Sequence, residues 1–194
     1  MKNLIVFLAF LCAGFTVNLA NAQCKTTNIY WEQLSDSVKK ATIASNEVNI
    51  NALNYYKGRF NLAVDKKSYQ LLDTLTAEHN DGNIKALYFY LFNRACAQSD
   101  GALSEVMGDY CQNIIVNDPV YALNYFSSHN SVMTKYALFL GYELYCKEKG
   151  VSDITYNFSD FKKLINSKIG SDANLKKTFN DFNNEIERVM KNMN

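Results

Sequence analysis

The chain has 194 residues, with 20 lysines and arginines against 19 aspartates and glutamates, for a formal net charge of +1. So neutral a chain has no general electrostatic pull toward nucleic acid or an anionic membrane face, and those partner classes are set aside. Its length and 48% hydrophobic content suffice for one domain with a proper core, without metals or dense crosslinks.

Residues 1–22 have the layout of a secretory signal peptide. Lys2 supplies a positive start, Leu4 to Val17 an apolar run, and Ala20-Asn21-Ala22 a small-x-small motif, so cleavage is expected between Ala22 and Gln23. The run falls short of the roughly 20 residues that a membrane span needs. Leu11 precedes Cys12 and Gln23 precedes Cys24, and neither is the small residue that lipoprotein processing requires. The expectation is a soluble exported protein, periplasmic or secreted, with no membrane anchor after cleavage and with residues 23–194 as a single domain. Export also changes how the cysteines read. Cys24, Cys96, Cys111 and Cys146 form an even set in an oxidising compartment, which points to disulfides. In an up-down topology Cys111 and Cys146 end helices that run parallel, so Cys111–Cys146 with Cys24–Cys96 is the expected pairing.

Along the chain the apolar spacing is near 3.6 residues, with one proline and few glycines, which predicts an all-α fold. Early helices are expected at 28–45, 48–64 and 67–79, then 83–98 and 102–116 on either side of the Asp100-Gly101 break. Asp118-Pro119 is a strong helix start, a capping carboxylate followed by proline at the first helical position, and opens a helix to about 128. Two segments, Ile84 to Ala97 and Val132 to Cys146, are apolar nearly all round, which places them at the centre of a bundle. Strand is the competing reading for Leu87–Phe92, but no turn chemistry brackets it as a hairpin. Gly170 should end the helix at 159–169, with Ser171 capping the last one, 171–192. There Leu175, Phe179, Phe182, Ile186, Val189 and Met190 make one apolar stripe.

The architecture is therefore a single globular helical bundle, or a short αα-repeat of solenoid type, with about seven to eight helices. The repeat reading rests on echoes at a constant offset: His79-Asn80 with His129-Asn130, Lys85 with Lys135, Phe89 with Phe139 and Cys96 with Cys146, with Ser68 and Asp118 as matching caps. A second echo, Ala52 to Tyr56 against Ala122 to Phe126, has a different offset and conflicts with the first. The segment Ala137 to Tyr145, with its Leu140-Gly141 pair and later Gly150-Val151, resembles the Sel1-like and tetratricopeptide helical repeats. Its tyrosine, Tyr142, lies one residue further along than in those families, and their downstream small residues are missing, so the assignment is not adopted.

Chemistry-bearing residues are few. His79 and His129 each precede an asparagine at a predicted helix end, where an imidazole interacts well with the last carbonyls and the helix dipole. Their functional alternative is a general base or a shared site with Glu78, Asp81 or Glu143. No metal-ligand spacing, phosphate loop, nucleophile elbow or CxxC occurs, so no metal and no cofactor is expected. Glu32, Glu47, Glu105 and Glu143 are scattered single glutamates, of which Glu143 stands out by lying in an apolar helix. Tyrosine is abundant, and Tyr55, Tyr56, Tyr121 and Tyr125 are the candidates for a binding surface. The expected role is a non-enzymatic module that binds another exported protein, an inhibitor or immunity-type protein being one concrete form. The rivals are a small exported cell-wall hydrolase using Glu143, His129 or His79, and a carrier of an apolar ligand.

Overall fold

Short polar side chains start most of the helices. In the computed structural model, which describes residues 28–193, a 3-10 turn, Trp31–Gln33, precedes nine α-helices. They are α1 (Asp36–Ala44), α2 (Ile50–Tyr56), α3 (Lys66–Thr76), α4 (Gly82–Gln98), α5 (Gly101–Asn117), α6 (Pro119–Phe126), α7 (Asn130–Glu148), α8 (Phe158–Ile169) and α9 (Ala173–Lys191). Ser35, Asn49, Asp65, Asp81, Asp118, Asn157 and Asp172 each accept a hydrogen bond from a backbone N–H of the first turn they cap. Such a cap satisfies donors that the helix itself leaves free. The signal-peptide reading of residues 1–22, the Ala22–Gln23 junction, Cys12 and Cys24 lie outside the described residues.

The all-α class expected from the periodicity is what forms, with no strand among the described residues. Leu87–Phe92 lies within α4. Both all-round apolar segments become central helices. The α7 helix is sandwiched between α5 and α9, and α4 meets α1, α2, α3, α7 and the 3-10 turn. A helix covered on several sides needs no polar face, and this accounts for their composition. The core runs continuously through all nine helices, with Leu87, Phe92, Tyr136, Phe161, Phe179 and Phe182 among its fully buried side chains.

Several expected boundaries move for local reasons. The helix expected from residue 28 starts only at Asp36, because Tyr30 and Trp31 are pinned in the core ahead of the Ser35 cap. The one expected at 48–64 stops at Tyr56, where Gly58 takes a φ of 69° and turns the chain into the irregular segment before α3. Ser68 is not a cap. Asp65 takes that place, and the Ser68 hydroxyl accepts from the Ala63 N–H at 2.9 Å. Asp172 rather than Ser171 caps α9. Gly170 ends α8 as expected, with a φ of 60°.

The disulfide expectation is corrected by the packing. Cys96, Cys111 and Cys146 are free thiols. Cys96 and Cys111 are both buried in the core, where burial and the adjacent Cys96 thiol push the Cys111 thiol pKa well up. Cys146 sits half-buried on α7 with its thiol against the Tyr142 hydroxyl one turn earlier. Cys111 and Cys146 thus have different neighbours, and the Cys111–Cys146 bridge does not form. Cys24, the expected partner of Cys96, is outside the described residues.

Candidate functional site

The four tyrosines expected to face a partner are placed in or against the core. Tyr55, Tyr121 and Tyr125 are buried, and Tyr56 is half-buried with its ring edge-on to Trp31 at 5.8 Å. The hydroxyls of the three buried ones are satisfied inside, which is how a tyrosine is buried without cost to its polar tip. Tyr121 donates to the Ile29 carbonyl at 2.6 Å, Tyr125 to Glu32 Oε1 at 3.0 Å and Tyr55 to Gln98 Oε1 at 2.7 Å. Tyr30 donates to the Tyr121 carbonyl at 3.0 Å, and its ring lies 4.8 Å from Tyr121 and 5.0 Å from Tyr125. These rings clamp the chain before α1 onto α6.

The histidines do what the capping reading expects. His79 Nε2 donates to the Thr74 carbonyl near the end of α3 at 3.0 Å, and its ring meets Tyr88 edge-on at 4.6 Å. His129 stacks on Tyr125 at 3.8 Å with the planes 2° apart, and its Nδ1 donates to the Tyr125 carbonyl at 2.9 Å. Its side chain thus serves the end of α6, while its carbonyl accepts from the Val132 and Met133 N–H groups at the start of α7. Glu143 is half-buried on α7 and accepts from the Ser152 hydroxyl at 2.6 Å. The three candidate catalytic residues therefore have three separate sets of partners.

Three of the clefts among the described residues bear on the candidate residues. The first, about 260 Å³, lies between the end of α3 and the meeting point of α4, α5 and α6. It brings His79 together with Lys85, Asp118 and Tyr121. Asp118 both caps α6 through the Tyr121 N–H at 2.9 Å and pairs with Lys85, whose ammonium lies 4.6 Å from the centre of the Tyr121 ring. The chemistry there is largely self-satisfied. The second cleft, about 480 Å³, lies between the irregular segment after α2, the C-terminal half of α4 and the first turn of α5, and includes Arg94 and Asp100.

The third, about 430 Å³, runs along the outer side of α7, between the α4–α5 corner and Met193. Leu138 and Tyr142 line it with 44% and 40% of their surface exposed, one turn apart on a helix otherwise covered on two sides. Lys135, Glu105 and Asp100 line it too, one basic and two acidic side chains. Asp100 lines both this groove and the second cleft. Among the described residues no group of three or more histidine, cysteine, aspartate or glutamate side chains is placed to hold a metal ion. No helix there is long and apolar enough to cross a membrane.

Comparison with protein families, with characterised proteins and with solved structures returns no match to this chain.

Sequence reasoning missed Leu138, Tyr142 and Arg94 as site residues. For the first two no local signal distinguishes them, because they lie in a segment, Val132 to Cys146, that is apolar nearly all round. Arg94 carried a faint one, being the only charged side chain between Ala86 and Gln98. A cation in such a setting needs a nearby acceptor or a cleft.

Proposed function

We propose that this protein is an exported, non-enzymatic binding module that docks another exported protein on the outer side of α7. One observation carries the reading: the Leu138–Tyr142 pair, exposed one turn apart in a groove that Lys135, Glu105 and Asp100 also line. An aliphatic and an aromatic anchor ringed by opposite charges is the make-up of a small protein-binding patch, where apolar burial gives affinity and the charges give register. Export rests on the layout of residues 1–22. An inhibitor or immunity-type protein is the concrete form of the proposal, since such proteins act by covering a surface and need no chemistry of their own.

The test uses the chain from Gln23 as bait in periplasmic or culture extract, beside a Leu138→Ala/Tyr142→Ala variant with unchanged circular dichroism. Capture of one stoichiometric partner by the wild type, lost in the variant, is the expected result. Equal capture by both moves the interface elsewhere. Loss of wall integrity on adding the protein replaces this reading with the hydrolase.

A further inference from the structure

The cleft beside α4 and α5 holds two opposite charges that do not neutralise each other. Arg94 reaches it from α4. Its Nη1 donates to the carbonyls of Tyr55 and Tyr56 at 3.4 and 3.3 Å, and its guanidinium lies 5.0 Å from the centre of the Tyr55 ring. Those contacts hold the head in place from one side. They leave the remaining N–H donors without a carboxylate, because the ion pairs among the described residues are Lys85–Asp118, Lys162–Glu187, Lys163–Asp160 and Arg188–Glu185. Asp100 lines the same cleft. It stands at the capping position of α5, yet its carboxylate makes no capping hydrogen bond and no ion pair.

The other N-capping aspartates among the described residues are used locally: Asp65, Asp81, Asp118 and Asp172 all bond to first-turn N–H groups. Asp100 is the exception, and it shares its cleft with an arginine that has no ion pair. The two do not pair with each other, so one molecule carrying both charges can meet both. The lining of the cleft is mixed: Phe60, Leu62 and Leu103 supply apolar surface beside the polar side chains of Asn61 and Gln98, and the Phe60 ring lies edge-on to Tyr55 at 6.5 Å. About 480 Å³ is the scale of a small-ligand cleft rather than of a protein interface.

We propose that this cleft binds a zwitterion of the α-amino acid type, a free amino acid or a short peptide with an apolar side chain. Its carboxylate sits on the Arg94 guanidinium, its ammonium faces Asp100, and its side chain lies against Phe60 and Leu103. A planar guanidinium fixed on one side and open on the other suits two parallel hydrogen bonds to a carboxylate. Asp100 borders both sites, but Arg94, Phe60 and Leu103 line only this cleft and Leu138 and Tyr142 only the α7 groove, so the Arg94 variants and the Leu138/Tyr142 variant let either proposal fail alone.

Calorimetric titration of the purified protein with phenylalanine, the Phe-Phe dipeptide, N-acetylphenylalanine and phenylalaninamide is the test. One-to-one binding by the amino acid or the dipeptide, weakened about tenfold or more by capping either end, is expected. Which of the two binds more tightly separates a free amino acid from a peptide. Asp100→Asn should cost about the same factor and erase the preference over the N-acetyl form. Arg94→Gln should erase the preference over the amide, and Arg94→Lys should restore part of it. Failure of all four compounds to bind overturns the proposal, as does equal binding of the capped forms or affinity untouched by Asp100→Asn. The asparagine variant guards the test against a fold loss in Arg94→Gln, since Asp100 is exposed and has no side-chain partner to lose.

Discussion

Glu143 of α7 crosses Gly108 of α5 so closely that a β-carbon on the glycine would stand 2.7 Å from the Glu143 Cβ and 2.7 Å from the Phe139 carbonyl oxygen. No real side chain tolerates that approach, so the glycine sets how near the two helices come. Gly108→Ala should gain up to about 1 kcal/mol of helix propensity and lose more than that to overpacking, for a net loss of about 2 kcal/mol. A lower urea midpoint with an unchanged slope is the expected result. Adding Glu143→Ala should recover little, because the Phe139 carbonyl and the Cβ at 143 remain in place. Stability equal to wild type in the single variant would mean that the crossing is looser than described.

Tyr136 and Asn93 make a second internal relationship with a clear consequence. The Tyr136 hydroxyl donates to Asn93 Oδ1 at 2.7 Å in the buried space between α4 and α7. The Asn93 amide nitrogen is buried with no hydrogen-bond partner. Tyr136→Phe would strand the oxygen as well. A buried acceptor left unpaired costs about 1–3 kcal/mol, well above the net worth of an average hydrogen bond. Equilibrium denaturation should show that loss with secondary structure unchanged. A loss below about 0.5 kcal/mol would mean that the oxygen finds another donor.

The helical class and the centrality of the two all-apolar segments could be read from the sequence because both follow from local spacing. So could the Asp118-Pro119 start, the Gly170 stop and the carbonyl-seeking histidines. What escaped was decided by distant partners. Tyr121 and Tyr125 look like interface tyrosines until Ile29 and Glu32, from the far end of the chain, come to rest on their hydroxyls. Cys96 and Cys111 are neighbours in the core, a pairing that the spacing of the cysteines along the chain does not reveal. Arg94 and Asp100 belong to adjacent elements, yet only the segment after α2 turns them into walls of one cleft.

Buried phenols make the fold sensitive to alkali. Burial raises the Tyr30 and Tyr55 hydroxyls from 10.0 to about 12. The same cause raises those of Tyr88, Tyr121, Tyr125 and Tyr136. A group whose pKa is raised in the folded state contributes stability that is whole below its unfolded value and is lost as pH rises through the folded one. Unfolding free energy should therefore be flat up to about pH 9 and fall steeply between about 10 and 12. Tyrosinate absorbance should rise in step with loss of the helical signal. Phenols titrating near 10 with helicity intact would contradict their burial.

At Asp118 the two roles of one carboxylate can be separated. It caps α6 and it pairs with Lys85, and both partners in the pair are only part-buried. Asp118→Asn keeps a good cap and removes the ion pair, for a loss of under about 1 kcal/mol that shrinks further in high salt. Asp118→Ala removes both and should cost about 1 kcal/mol more. If the two variants melt together, the cap contributes nothing and the pair carries the whole effect.

Thiol reactivity distinguishes the cysteine environments. Cys146 is half-buried, while Cys96 and Cys111 are 1% and 0% exposed. The thiolate is the reactive form, and burial together with the Cys96 thiol disfavours it at Cys111. Under native conditions a small alkylating reagent should label Cys146 and leave Cys96 and Cys111 until denaturant is added, each position read by peptide mapping. A larger excess of reagent should not reach the other two without denaturant, since access limits them. Early labelling of Cys111 would show that the α4–α5–α7 core opens locally, with the crossing at Gly108 as the place to look. A map in which Cys111 resists reagent even after unfolding without reductant would show it bridged and would overturn the assignment of free thiols.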